Sequence, residues 1–370
     1  MGVGGRSGFS GVNAYLFSAL AKRHNLVGVI DSKLSGFWKY WNALYCFSHV
    51  PGASKYFHPL RTILSEEVSY YRMRTKYYVL KRTEACERKL KKANDKFDII
   101  LQTTWLPAIR SKPIKPYYIY YDFTRKMVER MYPSYSRFYT KADKNMYYKL
   151  EKDTYHNATK VFTFSNQTSD SLVNDYGISP EKVVNVRFGV NLKEMPVYEK
   201  RYDKKTILFV ADSFTFELKG GNILLQAFKE VQKEVKDVRL QIIGTKLNIK
   251  DERIITEGFK EHSQLLNHYE EASILAMPSI MGGFQTILEA MAYKCPCIGG
   301  SNTCSEIIEE GKTGFLVPPN NYKELANKII VLLEDENMMK KMGEAGRERV
   351  ERYFTWDKVV DRMTEQFTNY

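Results

Sequence analysis

Between residues 206 and 319, short β-branched and apolar runs alternate with amphipathic stretches, and this alternation limits the fold more than any other feature. The runs "TILFVA" (206–211), "VRLQIIG" (238–244), "RIITEGF" (253–259), "SILAMPS" (273–279), "CPCIGG" (295–300) and "GFLVPP" (314–319) have strand character. Between them, 220–235 places Ile223, Leu224, Ala227, Phe228 and Val231 on one helical stripe. Further helices are predicted over 263–272, 284–294 and 305–311, the last closed by Gly311. Two or three amphipathic helices finish the chain. Strands alternating with helices dictate a parallel sheet wound on both faces.

The first half is less regular but of the same kind. A Gly-rich opening leads into a helix over 11–24 and a strand over 25–31. Strands follow at 97–105, 115–123, 158–165 and 182–189. A chain of 370 residues favours two domains. The polar stretch "VNLKEMPVYEKRYD" (190–203) is the predicted linker, giving domains 1–195 and 196–353 and a terminal helix 354–370. An open α/β domain normally begins with a buried strand, whereas here the Gly-rich loop starts at Gly2. The first strand is therefore expected to be missing, with an apolar segment upstream in the parent gene; a stop codon directly before Met1 would overturn that expectation.

Charge is divided unequally. Residues 1–195 carry 32 Lys+Arg against 16 Asp+Glu, and residues 196–370 carry 24 against 27, so balances of +16 and −3 make up the total of +13. A basic half calls for an anionic partner: nucleic acid, an anionic membrane surface or a phosphorylated substrate. No recognised nucleic-acid motif accompanies the charge, so no nucleic-acid partner is expected. Residues 37–82 mix Phe37, Trp38, Tyr40, Trp41, Tyr45 and Phe47 with Arg72, Arg74, Lys76, Lys81 and Arg82. That mixture suits an anionic interface, and equally a helix pair with an aromatic core. No apolar run has membrane-spanning length, and no signal pattern opens the chain. The expected location is cytoplasmic, peripheral on the inner membrane face. Cys295, Cys297 and Cys304 lack a fourth ligand and the two-residue gap of a zinc site, so they read as buried thiols and no metal is expected.

In a doubly wound sheet, ligands bind beyond the carboxyl ends of the strands. Four loops of the second half qualify. "DSFTFELKGG" brings Lys219 to a helix start, where a point charge and free backbone N–H groups suit a diphosphate. Gly258, Phe259 and Lys260 end a strand. "SIMGGF" places Gly282 and Gly283 at a helix start, and Glu289 lies two turns further on. "GGSNTCSE" is the fourth. A carboxylate flanked by Leu288 and Ala290 is costly to bury without partners, and Glu289 can accept from two ribose hydroxyls. Alone, Lys219 reads as a solvated cation and the glycine pair as a turn.

The order and spacing of "LFVADSFTFELKGGNILLQAF", "PSIMGGFQTILEAMAYKCPCIGG" and "SEIIEEGKTGFLVPPNNYKELA" resemble the successive signatures of glycosyltransferase family 4. "NATKVFTFSNQTSDSLVNDYGISPEKVVNVRFGVN" (157–191) and "RYFTWDKVVDRM" (352–363) extend the resemblance over nearly the whole chain. It implies the GT-B fold: two facing Rossmann-like domains with parallel sheets, and a terminal helix crossing back to the first. It also implies transfer of a hexose-type sugar from a UDP or GDP sugar to a glycan or lipid-linked acceptor, with retention and without metal or other cofactor. Carried over, Gly11, Lys219, Gly258, Phe259, Gly282, Gly283, Phe284, Gln285 and Glu289 form the nucleotide-sugar set, and Asp122, Lys219 and Glu289 the catalytic set.

Three departures stand out. Ala211-Asp212 replace an Arg that often precedes the Lys. "YYDFT" replaces a His, which makes Asp122 a sugar or acceptor contact or a base; its alternative reading is a cap of the next helix. A first acid, expected with seven residues between it and Glu289, is missing: spacing from Glu289 selects Met281, and spacing from Pro278-Ser279 selects Gly282. This last departure motivates a second reading, a catalytically weak or inactive GT-B nucleotide-binding scaffold.

Overall fold

The computed structural model describes residues 2–3, 11–30, 41–42, 73–110, 112–133 and 140–367. The described chain divides into two compact units, Met1–Arg187 with Val360–Tyr370, and Phe188–Val359. The division falls at 187/188 where the sequence suggested 195/196. Residues 188–191 belong with the second unit because the Val190 N–H donates to the Phe354 carbonyl (2.7 Å) and Asn191 accepts from Trp356 Nε1 (2.9 Å).

The N-terminal unit holds a six-stranded parallel sheet of order β2-β1-β3-β4-β5-β6. Its strands are β1 (Gly2–Val3), β2 (Val29–Ile30), β3 (Ile100–Gln102), β4 (Tyr117–Tyr121), β5 (Lys160–Thr163) and β6 (Val183–Asn185). Among the described residues, its longer helices are α1 (Val12–Ala21), α2 (Lys76–Lys92), α3 (Arg125–Met131), α4 (Lys141–Asn157) and α5 (Asn166–Tyr176). The strand expected to be missing is present as β1: Gly2 pairs with Val29 on one side and Leu101 on the other. Two residues leave no apolar run for sequence periodicity to detect. The tyrosine-rich β4 is buried throughout, as an interior parallel strand must be. Two of its hydroxyls are bonded as follows: Tyr117 donates to Gln102 Oε1, and Tyr120 to the Arg187 carbonyl at 2.8 Å.

The C-terminal unit has a second six-stranded parallel sheet, of order β12-β11-β10-β7-β8-β9. It comprises β7 (Thr206–Val210), β8 (Arg239–Ile243), β9 (Ile254–Glu257), β10 (Ile274–Met277), β11 (Cys297–Gly300) and β12 (Gly314–Val317). The helices are α6 (Gly221–Glu234), α7 (His262–Glu271), α8 (Phe284–Ala292), α9 (Ser301–Cys304), α10 (Tyr322–Glu334), α11 (Glu336–Tyr353) and α12 (Trp356–Thr364). Helix α6 packs on α10, and α8 on α11. The apolar stripe read from the sequence is buried at Leu224, Ala227, Phe228 and Val231, against Ile207, Phe209 and Ile242.

One predicted element is corrected. Residues 305–311 form turns, and the helix there is α9, one turn earlier. The chain leaves α9 with Ile307 and Ile308 N–H both on the Cys304 carbonyl. The carbonyls of Glu306 and Ile307 are taken by the Arg349 guanidinium (3.0 and 2.7 Å), and the Glu309 N–H by Thr313 Oγ1 (2.8 Å). Side-chain partners, Arg349 as donor and Thr313 as acceptor, thus take the groups that a helix would pair internally.

Of the aromatic-basic stretch, Phe37, Trp38, Tyr40, Tyr45, Phe47 and Arg72 lie outside the described residues. Trp41 is half exposed and Arg74 buried. Lys81 pairs with Glu84 (2.9 Å), and Arg82 stacks on Tyr78. Among the described residues no helix is long and apolar enough to cross a membrane. Cys86, Cys295, Cys297 and Cys304 are free and buried, and burial raises the thiol pKa of each.

Candidate nucleotide site at the sheet switch point

From β7 the C-terminal sheet grows one way through β8 and β9, and the other way through β10, β11 and β12. The carboxyl ends of β7 and β10 therefore flank the switch point, where such sheets leave a crevice. Three loops meet there and are joined by hydrogen bonds. The Ile280 N–H donates to the Leu218 carbonyl (2.9 Å), tying 278–283 to the loop before α6. Asn302 Nδ2 donates to the Ile280 carbonyl (2.8 Å), and Thr303 Oγ1 to that of Ser279 (3.1 Å), tying in the loop after β11. Ser279 Oγ closes the turn on the Met281 carbonyl at 2.8 Å.

Two helices begin at this edge, and neither N-cap has a side chain to contribute. Gly220 precedes α6 with φ 84°, and its missing Cβ would lie 2.4 Å from the Pro278 carbonyl oxygen. Gly282 and Gly283, at φ 74° and 94°, precede α8. Glycine alone adopts such backbone without strain. The result is a pair of helix N-termini with no side chain screening their positive dipole ends, an arrangement suited to anions.

Glu289 is only 2% exposed, yet its carboxylate is hydrogen-bonded. Oε1 accepts from Gln285 Nε2 one turn earlier (2.6 Å) and from His262 Nε2 at the start of α7 (2.8 Å). The bond to Glu289 raises the His262 pKa above 6.5, against burial. Tyr269 lies beside the same carboxylate with its hydroxyl buried, close to the carboxylate oxygens but without a bond of full hydrogen-bond geometry. Burial first, and then this negative charge, pushes the phenol pKa up. Sequence reasoning missed His262. Its only local signal is a His at a helix start two residues after Lys260, and its partner lies 27 residues away.

Lys219 reaches the Val210 carbonyl (3.3 Å). Desolvation lowers its pKa, opposed by the charges of Asp212 and Glu289. Asp212 itself is exposed and accepts from the Thr215 N–H and hydroxyl (2.7 and 2.9 Å), so it shapes the loop in which an Arg was expected. Phe284 is buried against Phe188, with ring centres 6.4 Å apart. Phe259 is 81% exposed. Gly258 has room on its Cβ side, with Lys246 Cγ at 4.0 Å. At the position of the missing acid Met281 is half-buried, and Gly282 has open space around it.

The remaining two candidates, Gly11 and Asp122, belong to the N-terminal unit. Gly11 caps α1 with φ 76°. Asp122 leaves β4, and its Oδ1 accepts from the Phe123 N–H (2.8 Å). The cap of α3 is Thr124, whose hydroxyl accepts from Met127 N at 3.2 Å, so Asp122 is not the helix cap. Burial raises the Asp122 pKa.

Residues 191–349 match the protein family described as Glycosyl transferases group 1. Over 246 residues the chain is 22% identical to the capsular polysaccharide biosynthesis glycosyltransferase CapM of Staphylococcus aureus, covering 60% of this chain and 65% of that one. The chain spans between about a third and two thirds of the length of the curated relatives it matches. Among solved structures, the lipopolysaccharide outer core galactosyltransferase WaaB superposes with a TM-score of 0.66 at 15% identity, covering 99% of this chain and 100% of that one. Anabaena HepE in complex with UDP and glucose superposes at 0.56 and 14% identity, over 75% and 79% of the two chains. The fold is that of the GT-B glycosyltransferases, with two Rossmann-like parallel-sheet domains.

Proposed function

We propose that the protein is a glycosyltransferase that moves a hexose-type sugar from a UDP or GDP sugar, with retention of anomeric configuration, to a glycan or lipid-linked acceptor in cell-surface polysaccharide, glycolipid or glycoprotein assembly. The observation that carries the reading is a buried, hydrogen-bonded Glu289 at a sheet switch point also furnished with Lys219 and two glycine-capped helix starts. Lys219 and the helix N-termini would hold the diphosphate, and Glu289 the ribose hydroxyls. Asp122 is assigned a hydroxyl of the transferred sugar or of the acceptor. The basic N-terminal half would favour an anionic, membrane-associated acceptor, and no metal is invoked.

The test is thermal shift and calorimetry with UDP, GDP, ADP and CMP and their sugar conjugates, on wild type and Glu289→Ala. One nucleotide should stabilise the wild type, and its sugar conjugate should turn over. A charged hydrogen-bonding partner contributes about 1.5–3 kcal/mol, so the variant should bind roughly ten- to a hundredfold more weakly. Binding of none of these ligands would refute the reading. The anomeric configuration of the product, read by NMR, tests retention.

Met281 motivates a second reading, a nucleotide-binding scaffold without turnover. Binding without transfer to any acceptor, unchanged in Met281→Glu, would favour it. Turnover of any donor excludes it.

A further inference from the structure

The Glu289 carboxylate is held through one oxygen. The two donors of full hydrogen-bond geometry among the described residues, Gln285 Nε2 and His262 Nε2, both lie on Oε1, while the buried Tyr269 hydroxyl stands close to the same carboxylate. The two donors come from different elements. Gln285 rides on α8 with Glu289 itself, so this pair would persist in any arrangement of the helix. His262 comes from α7 and fixes the carboxylate relative to the rest of the edge. A carboxylate held this way has lost its rotational freedom before a ligand arrives, and its second oxygen has acceptor capacity to spare.

We propose that His262 is a positioning residue for ribose recognition: by holding Oε1 it presents Oε2 of Glu289 to the hydroxyls of a nucleoside diphosphate. This rests on the nucleotide reading above. The imidazole does not touch the ribose; it acts through the carboxylate. When charged, it makes the stronger, charge-assisted bond to Oε1, and when neutral it donates more weakly. The groups facing this pair are few. Gln285 and Glu289 come from α8, Tyr293 from just past its end, Tyr269 from α7 beside Glu289, and Lys219 from the loop before α6, the last three each coupled to the Glu289 charge. Lys260, just ahead of α7, is engaged by Glu257 at 2.5 Å. Glu261 is engaged in the capping box with Gln264. His262, whose pKa the Glu289 bond raises, is therefore the group whose titration should reach the ribose contact near neutral pH.

The experiment compares affinities for UDP and GDP with those for their 2′,3′-dideoxy forms, by calorimetry at about pH 6 and about pH 8.5. Wild type, His262→Ala and His262→Gln are measured. The ratio of ribo to dideoxy affinity isolates the hydroxyl contact from phosphate and base. In wild type this ratio should be larger at the lower pH. His262→Ala should reduce it about three- to tenfold at that pH, with little change in dideoxy affinity. His262→Gln, a neutral donor of similar reach, should recover part of the ratio and show no pH dependence in it. A ratio in His262→Ala equal to wild type at both pH values overturns the positioning role while leaving the nucleotide reading intact. A wild type that binds neither nucleotide, or binds ribo and dideoxy forms alike, overturns the ribose assignment of Glu289 and the role of His262 with it.

Discussion

Gly220→Ala tests the switch-point geometry without reference to any ligand. Two costs add. At φ 84° an alanine pays the left-handed penalty, about 1–2 kcal/mol. Its Cβ would also sit 2.4 Å from the Pro278 carbonyl oxygen and 2.7 Å from Pro278 Cγ, backbone and ring atoms that cannot swing aside. Relief requires parting the α6 start from the 278–283 loop, an overpacking cost of about 1–3 kcal/mol. Gly282→Ala is the internal control. Its φ of 74° carries the same conformational penalty, but nothing lies within 4 Å of its Cβ. The expected loss is thus about 2–5 kcal/mol for Gly220→Ala and about 1–2 kcal/mol for Gly282→Ala. The assay is urea denaturation of the C-terminal unit followed by amide exchange at β7 and β10, with m-values compared so that a change of mechanism is seen. Equal losses in the two variants would refute the close approach to Pro278. Losses under about 0.5 kcal/mol in both would refute the left-handed caps themselves.

Lys219→Met should weaken a nucleoside diphosphate by roughly tenfold or more and the corresponding nucleoside hardly at all, read by calorimetry, because the cation addresses only the phosphates. Asp122→Asn should lower turnover about tenfold or more with nucleotide affinity within twofold, read as a kcat loss without a Kd change. Glu151 is fully buried, accepts from the Arg125 N–H and Tyr155 hydroxyl at 3.0 Å each and from the Tyr176 hydroxyl, and burial pushes its pKa from 4.5 up to about 7. Because the folded state holds this proton more tightly, its stabilisation is complete below about pH 4.5 and is lost as pH rises through about 7, an effect of about 3 kcal/mol. Glu151→Gln removes that dependence, so in urea midpoints of the N-terminal unit the wild type should lose ground to the variant between those pH values and stay level above.

The second sheet was legible because each of its elements satisfies its periodicity locally. The stripe Leu224, Ala227, Phe228 and Val231 is buried as a helix of period 3.6 requires, and β10 is buried along its whole length. Local pattern failed where distant groups decide the structure. Residues 305–311 have helical composition, but Arg349, some forty residues on, occupies the carbonyls. Strand β1 is too short to carry a pattern and exists through its two neighbours. At the site, Glu289 announced itself as a carboxylate in an apolar run, whereas His262 acquires meaning only from the fold that sets α7 against α8. Phe284 was included in the nucleotide set for its place in the motif, and the structure gives it a packing partner in Phe188.

The final helix changes allegiance along its length. Trp356 is fastened within the second unit, while Asp361 pairs with Arg23 (2.8 Å), Thr364 with His24 (2.8 Å), and Arg362 with the Val186 carbonyl (2.9 Å) in the first. Phe367 lays its ring against Tyr118 and Phe162, on the interior strands β4 and β5. A chain emerging from the ribosome makes domains in order, and a domain that contains only its own segment can finish before the next appears. Here the first unit must wait. Its cover over β4 and β5 includes Phe367, which is made only after the whole of 188–359. The unit whose synthesis begins first is thus closed by residues made after the whole of the second, so a chain cut short before Phe367 should lose cover over Tyr118 and Phe162 while keeping every residue of the second unit.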